Sequence, residues 1–159
     1  MGIPPVLAKA LKPVVLVCGH YGVGKTNLSM NLIMDLASTG HQVTAIDLDI
    51  VNPYFRTTEQ RALLEAADVR LVAPQYADAG TSLDIPSLPG SIGPALDAAT
   101  SEAPVVVDVG GDDVGATALG RYASETSEES LCSIGVLNRF RNLVQDPHDA
   151  LQNLREIEA

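Results

Sequence analysis

The residues best suited to chemistry stand between Gly19 and Thr26 and read GHYGVGKT: a glycine, four free positions, then Gly-Lys-Thr. That spacing suits phosphate. Gly19, Gly22 and Gly24 let the backbone turn tightly and bring N–H groups against phosphate oxygens. His20, Tyr21 and Val23 occupy the free positions of the same loop, and Asn27 follows it on the helix. Lys25 is placed to reach the β- and γ-phosphates, and the Thr26 hydroxyl to hold Mg²⁺. A turn of this composition that binds nothing is the bland alternative. A lysine at a helix start is electrostatically disfavoured without an anion, which weighs against it.

A phosphate loop needs carboxylates at the ends of neighbouring strands. Asp47 and Asp49 close the run Gln42 to Leu48 (QVTAIDL), and Asp108 closes Val105 to Val109 (VVVDV), directly before Gly110 and Gly111. Two acids at i, i+2 share a face in a regular strand and could flank one Mg²⁺ and one water. Ordinary turn acids are the alternative. For Asp108 the choice is between holding Mg²⁺ through water and capping the next turn. Gly110 and Gly111 allow the backbone to approach a γ-phosphate and to move when it leaves. Asn52 to Arg56 reads as a switch segment, with Arg56 either a phosphate or partner contact or a plain surface charge.

The elements around these residues are legible as alternating apolar runs and helical patterns. Val14 to Cys18 (VVLVC) is a buried strand. Asn27 to Ser38 puts Leu28, Leu32, Ile33 and Leu36 on one helical face, with Gly40 as C′ residue. A helix capped by Thr57 or Thr58 runs to Ala67, with Leu63 and Leu64 inward. A strand from Arg70 to Ala73, a long polar loop from Tyr76 to Ser91 and a short helix from Ile92 to Thr100 lead to the strand ending in Asp108. Val114 to Ala123 is helical, Ser124 to Ser130 polar, and Leu131 to Leu137 a fifth strand. Asp146 and Pro147 start a last helix to the C-terminus. The alternation predicts an α/β fold, a mostly parallel sheet with helices on both faces in three layers. The strand ending in Asp108 is expected beside the strand ending in Cys18.

With 159 residues, 46% hydrophobic and 19% charged, the chain suits a single globular domain. No apolar run approaches the ~20 residues of a membrane span. The segment Met1 to Pro13 has no signal-peptide core. Cys18 and Cys132 are read as core thiols of a cytoplasmic protein, with a Cys18–Cys132 disulfide as the alternative. A net charge of −10 argues against general nucleic-acid binding. Eleven acids against four bases from Ser101 onward are read as solvated surface.

Together, Gly19 to Thr26, the strand ending Asp47-Leu48-Asp49 and Val105 to Gly111 resemble the ParA/MinD family of P-loop ATPases, relatives of the nitrogenase iron protein. The resemblance runs from Val14 to about Ala159. It implies a P-loop NTPase fold and Mg-ATP as ligand, with ADP after slow hydrolysis. It places Thr26, Asp47 and Asp108 at Mg²⁺ and Asp49 at the attacking water. Lys25, Asp47 and Asp49 are then the catalytic set, and Gly111 joins the loop residues in binding nucleotide. It further implies a nucleotide-dependent switch acting on a protein partner, with a homodimer as one form.

Two departures stand out. His20 occupies the position where the family often carries a lysine that reaches the partner subunit's nucleotide. Related domains also continue with a further strand whose end carries a base-reading asparagine; Asn138 resembles that residue but follows Asp108 too soon. A shortened member or a fragment is therefore expected. No basic amphipathic helix supports membrane binding, since Leu151 to Glu158 contains only Arg155. Three other readings compete. A GTPase of the metal-insertion chaperone or signal-recognition class would want Asn-Lys-x-Asp, but Asn138-Arg139-Phe140-Arg141 has Arg in place of Asp. A small-molecule kinase would want an arginine-rich lid. The last is a nucleotide-binding module without catalysis.

Overall fold

The computed structural model of the chain describes residues 3–49, 60–73, 90–110, 127–138, 146 and 148–149. Five strands form one sheet: β1 (Val14–Cys18), β2 (Thr44–Leu48), β3 (Arg70–Val72), β4 (Val105–Val109) and β5 (Leu131–Gly135). Their order is β3-β2-β4-β1-β5, and every pair is parallel. β4 lies beside β1, as the sequence predicts, with Val14 opposite Val105 and Val17 opposite Asp108.

Period-two alternation divides the sheet into two faces. On one face Val14, Cys18, Ile46, Leu48, Val105, Val107 and Val109 pack against Ile92, Ala95 and Leu96 of helix α4 (Ile92–Asp97). On the other, Val15, Val17, Ala45 and Val106 meet Leu32, Ile33 and Leu36 of α2 (Lys25–Ser38) and Leu64 of α3 (Arg61–Ala66). Helices thus cover both faces, and β4 is buried at every position. Such double burial is why the strands read as unbroken Val/Ile/Leu runs rather than alternating ones.

Several elements are shorter than their apolar runs. β2 begins at Thr44 rather than Gln42, β3 stops at Val72, β5 stops at Gly135 and α4 stops at Asp97. In α3, Leu64 is buried as expected, but Leu63 is exposed. The two lie about 100° apart on the helix, and α3 presents Leu64 to the sheet and turns Leu63 to water. One helix was not foreseen: α1 (Pro5–Ala10), with proline at its start, where the missing N–H costs nothing. Ile3 and Leu11 on either side of it pack onto the α2 face. Cys18 and Cys132 are both free thiols, on opposite faces of the sheet. Val15, not Cys18, pairs with Cys132, so the disulfide alternative is excluded.

The helix expected over Val114 to Ala123 and most of the Tyr76 to Ser91 loop lie outside the described residues. Of the last helix, the described part has Asp146 Oδ1 accepting the amides of His148 at 2.7 Å and Asp149 at 3.0 Å, as an N-cap should. Among the described residues no helix is long and apolar enough to cross a membrane.

Candidate phosphate-binding site

β1 delivers the chain to the carboxyl edge of the sheet, where α/β folds bind ligands. There Gly19, Gly22 and Gly24 adopt φ of 144°, 68° and 105°, a region closed to most side chains. At Gly19 a Cβ would also run into the carbonyl of Val136 and the side chain of Val23. Val136 N–H in turn donates to the Cys18 carbonyl at 2.8 Å. The start of the loop is therefore clamped between β1 and the residues just beyond β5. No sequence signal marks Val136, because its contribution is backbone.

Gly24 is the N-cap of α2 and supplies no side-chain cap. The first intrahelical bond runs from Leu28 N–H to the Gly24 carbonyl at 3.0 Å. The amides of residues 24–27 precede it and have no intrahelical acceptor. Lys25, the first helical residue, is buried, and its Nζ donates to the His20 carbonyl at 3.1 Å. The same ammonium lies 5.7 Å from the centre of the exposed Tyr21 ring. His20 is half-buried and Asn27 exposed.

The three acids converge behind the loop. Asp47 is register-paired with Asp108, and Asp108 with Val17 of β1. Asp47, Asp49 and Asp108 are only 1%, 4% and 2% exposed, which is not how surface turn acids sit. Asp49 N–H donates to Asp47 Oδ1 at 3.0 Å, so Asp47 also supports its own turn. Thr26 Oγ1 donates to Asp108 Oδ2 at 2.7 Å, which ties the loop to β4. Burial pushes the Asp108 carboxyl up from 3.8 to about 6, against the opposing pull of the Thr26 hydroxyl and the Lys25 charge. Asp49 adds a smaller upward push.

Asp108 Oδ1 is buried without a hydrogen-bond partner among the described residues. A hydroxyl and a carboxylate with a spare oxygen, on adjoining elements, are the hard oxygen donors Mg²⁺ takes, usually with water completing the shell. Among the described residues no group of three or more His, Cys, Asp or Glu side chains forms a ready-made metal cluster, and a water-rich Mg²⁺ site needs none. Gly111, Arg56 and the rest of the switch segment lie outside the described residues, as do Arg139 to Arg141. Asn138 is half-buried, three residues past the end of β5, the strand beside β1. A cavity of about 480 Å³ lies elsewhere, among Leu11, Leu36, His41 and Pro104. It sits at the C-terminus of α2, whose dipole repels phosphate.

This geometry agrees with the comparison to known families. The model of the CobQ/CobB/MinD/ParA nucleotide-binding domain matches residues 14–158. The chain belongs to that family. A curated relative, the cytosolic Fe-S cluster assembly factor Nubp2 homolog of Drosophila grimshawi, is 32% identical over 85 residues. The alignment covers 52% of this chain and 31% of that protein, so this chain spans only about a third of the relative's length. No solved structure matches. The family assignment makes this chain a nucleotide-binding domain of ParA/MinD type.

Proposed function

We propose that residues 1–159 form a single Mg-ATP-binding domain that works as a slow, nucleotide-dependent switch in the cytoplasm. The observation that carries this is the 2.7 Å bond from Thr26 to Asp108, which joins the phosphate loop to a buried acid with an uncommitted oxygen. The loop amides and the N-terminus of α2 bind the phosphates, and Lys25 moves onto the β- and γ-oxygens. Thr26 and Asp108 would hold Mg²⁺, with Asp47 beside them, and the ion would neutralise charge on the phosphates. Asp49, buried beside them, orients the attacking water. Phosphoryl transfer also needs a cation on the developing charge, and an arginine finger supplies about 10³–10⁵ in rate. His20 stands where the family often carries a lysine, so the loop does not supply that lysine itself. Full rate then depends on a second copy or a protein partner, with Arg56 as the chain's own candidate.

ATP is preferred over GTP, because Arg141 stands where guanine recognition wants an acid. Cys18 and Cys132 lie on opposite sheet faces, so the proposal for this chain places no iron–sulfur cluster between them. Calorimetric competition of Mg-ATP against Mg-GTP tests the ligand, and tighter GTP binding moves the protein to the GTPase class. Single-turnover hydrolysis by the wild type, Asp49→Ala and Arg56→Ala at several protein concentrations tests the switch. A rate of tens per second, indifferent to concentration and to both substitutions, refutes it.

A further inference from the structure

Tyr21 is exposed, and its ring also faces the key cation of the loop. Its ring is 40% exposed, yet the Lys25 ammonium lies 5.7 Å from its centre, within the reach of a cation–π contact. The same ammonium donates to the His20 carbonyl at 3.1 Å. A lysine head this buried is stable only with partners, and ring face and carbonyl sit on consecutive residues of the loop. Both are weaker partners for an ammonium than a phosphate oxygen.

From this we propose that Tyr21 is a positioning residue that parks Lys25 in the phosphate-free loop, so that a polyphosphate must draw the ammonium off the ring to bind. The inference rests on the reading of Gly19 to Thr26 as the phosphate site. The effect of Tyr21 on affinity is exerted through Lys25, and it opposes binding rather than assisting it. A cation–π contact at a half-exposed site implies that losing the ring tightens polyphosphate binding about two- to five-fold.

The test uses the full chain with ADP and inorganic tripolyphosphate as probes, and three variants: Tyr21→Phe, which keeps the ring, Tyr21→Leu, which keeps the bulk, and Tyr21→Ala. Tyr21→Phe should bind both probes as the wild type does, and Tyr21→Leu and Tyr21→Ala two- to five-fold more tightly. In the ligand-free protein, proton NMR should show the Lys25 ε-methylene displaced upfield by ring current in the wild type and Tyr21→Phe, and not in Tyr21→Leu. Addition of tripolyphosphate should remove that displacement. Unchanged or weaker binding by Tyr21→Leu and Tyr21→Ala, or no upfield displacement in the wild type, overturns the parking role. Failure of the wild type to bind either probe refutes the phosphate site instead, and the ring-current comparison still decides where Lys25 rests.

Discussion

The two ends of α2 are made of the same backbone and treated in opposite ways. At its C-terminus, Gly40 N–H donates to the Ala37 carbonyl at 3.0 Å and His41 N–H to the Leu36 carbonyl at 3.3 Å, the paired bonds of a Schellman turn. The Thr39 hydroxyl donates to the Leu36 carbonyl at 2.8 Å, and the Ser38 hydroxyl to that of Asp35 at 2.7 Å. At the N-terminus there is no side-chain cap, no acid in the first turn, and a buried lysine at the position where the helix dipole favours an anion. One end is closed by the chain's own turn and hydroxyls; the other, uncapped by any side chain, suits the phosphate ligand proposed above.

The largest expected effect tests whether the two ends can be separated at all. Ile33 is 1% exposed at the centre of the α2 face. Ile33→Ala should lower the unfolding free energy by about 2–5 kcal/mol, read by urea titration. Nucleotide affinity measured well below the unfolding transition should stay within about twofold of wild type, because the loop geometry is set by β1 and Val136. A parallel collapse of affinity would mean that the site borrows its shape from the helix core.

Asp108 gives the next effect and a pH signature. Its carboxyl is raised from 3.8 to about 6 by burial, so the folded state favours the protonated form. The sign follows: the ligand-free protein is not penalised below pH 3.8, and loses stability as pH rises from 3.8 through 6. The full loss above pH 6 amounts to about 3 kcal/mol at 1.36 kcal/mol per pK unit. Asp108→Asn should abolish that dependence and leave the ligand-free protein more stable than wild type at pH 7. Urea midpoints at pH 4 and pH 7 for both proteins decide it; a wild type equally stable at both, after Asp108→Asn is subtracted, would contradict the burial.

Lys25→Ala sharpens the contrast most directly. Nucleotide binding should weaken at least tenfold, from the loss of a charge-assisted phosphate contact of roughly 1.5–3 kcal/mol. The unfolding free energy should not fall, because the lysine sits against the helix dipole. Calorimetry and urea titration on the same preparation read both. Unchanged binding would remove the phosphate site.

How much of this was legible in the sequence follows the physics of each signal. The loop and the strands ending in Asp47 and Asp108 were readable because glycine spacing and doubly buried strands leave unmistakable patterns. β4 was placed to the residue, since Pro104 and Gly110 bound it. Leu63 was misplaced because a short helix shows too few turns to fix its phase. Helix α1 was not foreseen: it is only six residues long, in a segment with three prolines, although proline at a helix start is favourable. The clamp of Val136 on Gly19 and the resting place of Lys25 on His20 and Tyr21 had no signal at all. The clamp depends on which strand the chain returns to, and β5 lands beside β1 from more than a hundred residues away.

The smallest effect belongs to the closed end. Gly40 has φ of 91°, and a Cβ there would meet nothing within 4 Å, so strain is the whole cost of a side chain. Gly40→Ala should therefore destabilise by about 1 kcal/mol, the ordinary cost of a left-handed L-residue. Gly40→Asn should recover part of it, because asparagine tolerates that conformation. Neither variant should move nucleotide affinity, since Gly40 caps the far end of a 14-residue helix from Lys25. The pair of measurements is informative because it is lopsided. Lys25→Ala is expected to change binding and spare stability; Gly40→Ala is expected to change stability and spare binding. If Gly40→Ala weakened nucleotide binding as much as it weakened the fold, α2 would have to transmit strain along its full length. The N-terminal site would then be a property of the whole helix rather than of its open end.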